Sequence, residues 1–143
     1  MIGGCVNQTS QPCVSVILPI LNEERDLENC ISAILQQDYS AGIEVILALG
    51  PSKDKTTQIA KALSAGDDRI KLVDNPSGQT AAGLNLAIKS SSHEIICRID
   101  GHSEIESDYI KNAVKGGLSK EDAQIEYDEL YPRSRQLMYS YTQ

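Results

Sequence analysis

Four short apolar runs, each followed after a polar break by residues at helical spacing, constrain this chain more than any other feature. The first, Val14-Ser15-Val16-Ile17-Leu18-Pro19-Ile20, is β-branched and nearly continuous, as a strand buried on both faces of a parallel sheet must be. Past Asn22-Glu23-Glu24 the period changes, and Leu27, Ile31, Ile34 and Leu35 mark a helix that Ser40-Ala41-Gly42 is expected to end. Glu23, Glu24 and Asp26 lie near its start, where the helix dipole favours negative charge. The pattern recurs with a strand over 43–49 and a helix beginning near Asp54 or Thr56, then a strand over 70–73 and a helix carrying Leu84, Ala87 and Ile88. A fourth strand is expected over 94–99, followed by a helix through Ile110 and Val114 that Ser107 can cap.

Strand and helix thus alternate with short connections, the pattern of crossover units rather than hairpins. The expected fold is α/β, an open, doubly wound and mostly parallel sheet. Ligands of such sheets sit outside the carboxyl ends of the strands, where strand order reverses. The polar clusters at 22–24, 50–54, 75–80 and 100–102 each follow the end of one expected strand.

A formal charge of −7 argues against partners recognised through many phosphates, so neither nucleic acid nor an anionic membrane is expected. A single diphosphate remains compatible with that charge, because a metal ion or the N–H groups at a helix start can hold it. Cys5, Cys13, Cys30 and Cys97 show no C-x-x-C spacing and are expected to be unpaired, mostly buried thiols. No signal-like leader and no apolar run of membrane-spanning length is present in these residues, so a cytoplasmic, soluble chain is expected.

Two nucleotide motifs are ruled out by their details. Gly78 to Gly83 has P-loop spacing, but Leu84-Asn85 stands where Lys-Ser or Lys-Thr is needed to reach phosphate and magnesium. No G-x-G-x-x-G follows the first strand either, which removes the dinucleotide fingerprint. Asp100-x-His102 is sharper. An Asp oxygen and a His nitrogen on a turn eased by Gly101 can bind one divalent ion and leave positions open for phosphate oxygens. Such mixed ligation suits manganese and permits magnesium or zinc. The alternative is that Asp100 caps a turn and His102 is merely solvated.

The segments "VSVILPILNEE" at 14–24, "EVILALGPSKDKT" at 44–56, "VDNPSGQTAAGLNLAI" at 73–88 and "EIICRIDGH" at 94–102 resemble, in order and spacing, the N-terminal half of family 2 glycosyltransferases. The last resembles the branch with an Asp-x-His metal motif, which includes enzymes of exopolysaccharide synthesis. The resemblance implies a GT-A fold and transfer of a sugar from a nucleotide-diphosphate donor to a hydroxyl of a glycan or lipid-linked acceptor. It implies donor contacts at Pro19, Asn22, Glu23, Ser52, Asp54, Asn85 and Asp100. It also implies a divalent metal, Mn2+ or Mg2+, on Asp100 and His102.

It covers roughly 14–114, leaving 1–13 as an extension and 115–143 as a polar, tyrosine-containing segment without assigned role, in which a helix around Ile125 and Leu130 is expected. Leu49-Gly50 stands where many members have base-reading aspartates, and Leu21 where many have an aromatic residue. The chain has no tryptophan and no carboxylate assignable as the acceptor-side base. The alternative function is therefore a nucleotide-sugar-binding module without independent catalysis, and an incomplete sheet would favour self-association.

Overall fold

The computed structural model describes residues 11–93, 95–116 and 137–140. Strands β1 (Val14–Ile20), β2 (Ile43–Leu49), β3 (Ile70–Asp74), β4 (Ile95–Arg98) and β5 (Leu137–Ser140) alternate with helices α1 (Leu27–Leu35), α2 (Thr56–Gly66), α3 (Thr80–Ser90) and α4 (Tyr109–Gly116). They form one sheet in the order β3-β2-β1-β4-β5. Every adjacent pair is parallel.

The side-chain alternation of β1 explains why helices cover both faces. Val14, Val16, Leu18 and Ile20 point to one side, where Leu27, Cys30, Ile31 and Ile34 of α1, Ala60 of α2 and Ile110 of α4 close over them. Ile17 points to the other, against Ile46, Ala48 and Ile96 and against Leu84 and Ala87 of α3. Each fully buried Ile or Leu contributes roughly 1.5–3 kcal/mol of transfer free energy. With α1 and α2 on one face and α3 on the other, the chain is wound in both directions from β1. The reversal falls between β1 and β4, so the loops that begin after Ile20 and after Ile99 flank the crevice.

The structure amends several expected boundaries. Helix α1 stops at Leu35, before Ser40, because Gln37 turns to another task. Its Oε1 accepts the Ile110 N–H at 2.8 Å and its Nε2 donates to the Glu106 carbonyl at 2.6 Å, so Gln37 caps α4 from a distance. The expected cap, Ser107, instead receives the Asp38 N–H on its carbonyl at 2.7 Å. Strand β5 was not expected at all, while the helix expected around Ile125 and Leu130 lies outside the described residues. Cys30 and Cys97 are free and buried, whereas Cys13 is disulfide-bonded, which corrects the reading of four unpaired thiols. Among the described residues no helix is long and apolar enough to cross a membrane.

Candidate active site

Two loops at the carboxyl end of the sheet are sewn together by reciprocal hydrogen bonds. Asn22 adopts a left-handed backbone (φ 54°), a conformation its short amide side chain tolerates better than most. Its N–H donates to Ser52 Oγ at 2.9 Å, and its Oδ1 accepts the Lys53 N–H at 2.8 Å. The Glu23 N–H donates to Thr56 Oγ1 at 2.8 Å, the Glu24 N–H to Asp54 Oδ2 at 3.3 Å, and the Lys55 N–H to Glu24 Oε1 at 3.0 Å. Asp54 Oδ1 accepts both the N–H and the hydroxyl of Thr56, at 2.9 and 2.5 Å. The Thr56 hydroxyl bond holds the Asp54 carboxyl below the usual carboxylate range, with further help from the Thr56 and Glu24 N–H groups.

A third loop is closed by its own residues. Buried Asn75 donates from Nδ2 to the Gln79 carbonyl at 3.0 Å and accepts the Ser77 hydroxyl at 3.0 Å. A Cβ at Gly83 would come within 2.8 Å of Asn75 Nδ2, which explains the glycine in the P-loop-like spacing without any phosphate.

The fourth loop carries Asp100 and His102. The Ser103 N–H donates to the Asp100 carbonyl at 3.0 Å, closing a turn around Gly101. Arg98 and Asp100, two apart and so on the same side of the extended chain, pair through Arg98 Nε and Nη2 to Asp100 Oδ1, both at 3.2 Å. Across the crevice, His102 Nδ1 lies 3.3 Å from Glu23 Oε2. Gly101 makes this approach possible: a Cβ there would meet Ile20 Cδ1 at 2.7 Å and Glu23 Cγ at 3.2 Å.

Of the residues singled out in the sequence, the structure gathers Asn22, Glu23, Ser52 and Asp54 into one hydrogen-bonded wall, with His102 and Asp100 on the turn facing it. Pro19 lies within β1, in register with Ala48, and part-buried Asn85 sits on α3 with no hydrogen bond to these loops among the described residues. Asp100 and His102 share a turn but face different partners. Among the described residues no group of three or more His, Cys, Asp or Glu side chains converges as a metal cage. Glu24, Thr56 and Arg98 were missed. The Ser52-x-Asp54-x-Thr56 spacing was the available signal for Thr56, and the Arg98-x-Asp100 spacing for Arg98.

A cleft of about 430 Å³ opens beside the wall, lined by Asn22, Glu23, Glu24, Arg25, Asp26 and Asp54. Four of these six side chains are carboxylates, so an anionic ligand placed here meets repulsion that a cation would offset.

Residues 15–135 match the family model described as Glycosyl transferase family 2. The chain is 32% identical over 117 residues to the uncharacterized glycosyltransferase EpsJ of Bacillus subtilis (strain 168), covering 82% of this chain and 32% of that protein. It is 29% identical over 106 residues to the succinoglycan biosynthesis protein ExoA of Rhizobium meliloti (strain 1021), covering 73% and 32%. The crystal structure of S. aureus TarS 1–349 in complex with UDP matches with a TM-score of 0.63 at 25% identity, over 71% of this chain and 31% of that one. The chain therefore spans about a third of the length of these relatives. The doubly wound parallel sheet, the loops at its switch point and these similarities agree: the chain belongs to glycosyl transferase family 2.

Proposed function

We propose that this chain is the donor-binding part, residues 14–114, of a glycosyltransferase that moves a sugar from a nucleotide-diphosphate donor to the hydroxyl of a glycan or lipid-linked acceptor in polysaccharide synthesis. The observation that carries this is the Asp100-Gly101-His102 turn, set at the switch point of the sheet and facing the clamped loop that presents Glu23. The UDP bound to TarS makes UDP the first nucleotide to try.

The residues present fit a divalent ion in kind. One carboxylate and one imidazole suit Mn2+ or Mg2+, a two-ligand set leaves room for diphosphate oxygens, and Arg98 engages only one oxygen of Asp100. Asp100 and His102 would hold the ion, which when bound would neutralise charge on the leaving nucleotide. The chain's own residues do the rest. Asn22, Ser52 and Asp54 shape the donor wall through the bonds they make between loops, and Glu23 borders both wall and turn. Pro19 and Asn85 are assigned donor contacts by the family resemblance alone.

A second reading, a nucleotide-sugar-binding module without independent catalysis, draws on a specific observation. Both oxygens of Asp54 are taken, by Thr56 and by the Glu24 N–H, while Asp100 is assigned to the ion and Glu23 faces His102, so none of the three is assigned as an acceptor-side base. Calorimetric titration of UDP- and GDP-sugars with and without Mn2+ tests both readings. Metal-enhanced binding that Asp100→Ala and His102→Ala abolish supports them, and turnover separates the first from the second. Equal binding with and without the metal would discard both.

A further inference from the structure

A metal takes the imidazole nitrogen that carries no proton, and which nitrogen that is depends on the hydrogen bond made by the other. In water the neutral ring favours the proton on Nε2, which leaves Nδ1, the nitrogen crowded by its own backbone, as the open one. At His102 the geometry reverses that preference, because Nδ1 faces a carboxylate oxygen of Glu23 at 3.3 Å. A carboxylate accepts and does not donate, so in the neutral ring the shared proton resides on Nδ1 and the Nε2 lone pair is left open.

The backbone that carries Glu23 is held in place, and its side chain is left room beside the turn. The Glu23 N–H is tied to Thr56 Oγ1, its carbonyl receives the N–H groups of Asp26 and Leu27 at 3.2 and 3.0 Å, and Gly101 lets its Cγ approach the turn. The Glu23 side chain is 18% exposed while that of His102 is 51% exposed, so the acceptor is sheltered and the ring still reaches solvent. We propose that Glu23 is a positioning residue that fixes His102 in the Nδ1–H tautomer and so presents Nε2 to a divalent cation. This rests on the metal reading above for its purpose, though not for its geometry. Carboxylates that orient ligating histidines this way are recurrent, and their removal weakens metal binding about 10–100-fold.

The test uses the 15N-labelled, metal-stripped full chain at about pH 9, where an imidazole of ordinary pKa is neutral. Long-range 1H–15N correlation spectra report which ring nitrogen carries the proton. The chain has only two histidines, so His93→Gln assigns both signals. The expected result is Nδ1–H at His102 in the wild type, a shift toward Nε2–H in Glu23→Ala, and retention of Nδ1–H in Glu23→Gln, whose Oε1 still accepts. Mn2+ affinity, read by electron paramagnetic resonance, should fall about 10–100-fold in Glu23→Ala and less in Glu23→Gln. Circular dichroism and thermal melts show whether each variant is folded. Nε2–H at His102 in the wild type overturns the proposal, as does an unchanged tautomer in folded Glu23→Ala. If the wild type binds no Mn2+ while the tautomer follows Glu23, the metal reading falls and the positioning of His102 by Glu23 stands.

Discussion

Lys71 Nζ lies 2.5 Å from Glu44 Oε1 at the end of the sheet opposite the candidate site, and the carboxylate it meets is buried. Glu44 Oε2 also accepts the Ser15 hydroxyl at 2.6 Å and the Ser92 N–H at 2.7 Å, so one carboxylate ties β1, β2 and β3 to the second residue beyond α3. Burial alone would push the Glu44 carboxyl up. The Lys71, Ser15 and Ser92 bonds outweigh it, and the group titrates below the usual carboxylate range.

Because the folded value is lowered, Glu44 contributes stability that is complete above the ordinary glutamate range and is lost as pH falls through the folded value. Glu44→Gln is expected to cost about 1–3 kcal/mol at neutral pH, since Lys71 loses its charged acceptor. The gap in melting temperature between wild type and variant should shrink as pH drops below about 4.3, the usual glutamate value. A gap that stays constant from pH 7 to pH 3 contradicts this.

Gly101→Ala should destabilise the chain by about 1–3 kcal/mol, because the new methyl group overlaps the buried end of Ile20 and crowds Glu23. Ile20→Val removes the closest clashing atom, so the double variant should recover part of the loss in urea denaturation. A loss in the double variant as large as the sum of the two single losses argues that the turn gives way instead.

Asn22→Ala combines a left-handed backbone with loss of the Lys53 N–H acceptor and should cost about 1–3 kcal/mol. Asn22→Gly relieves the backbone and loses only the acceptor, so it should be the milder of the two. The order of their urea midpoints decides the point.

Burial pushes the Cys97 thiol up to about 12. Burial also raises Cys30 to about 12, assisted by the Glu23, Asp100 and Asp26 charges and opposed by the Ser103 N–H. Neither thiol should react with iodoacetamide at pH 8 in the folded chain, and both should react in guanidinium. Intact mass before and after denaturation reads this directly, and modification of either residue without unfolding would count against the packing described.

Local signals carried much of the architecture. The run Val14–Ile20 announces a two-sided buried strand because each of its residues except Pro19 is apolar, small or β-branched, and β1 occupies those residues. The 3–4 spacing of Leu27, Ile31 and Ile34 announced α1 for the same reason, since one helix needs only its own sequence to show which face is apolar. Strand β5 had no such advertisement. Its four residues pair with β4 far back along the chain, and a short edge strand owes its existence to that partner.

Residue types and their order determined the alternating sheet, its buried faces and the presence of an Asp-Gly-His turn beyond the fourth strand. Only the tertiary structure decided that Arg98 holds Asp100, that Glu23 faces His102, and that Asn22, Ser52 and Asp54 spend their hydrogen bonds on each other's loops. Periodicity is written in neighbours a few residues apart, whereas a hydrogen bond between loops is selected by distances that exist only after the strands have paired.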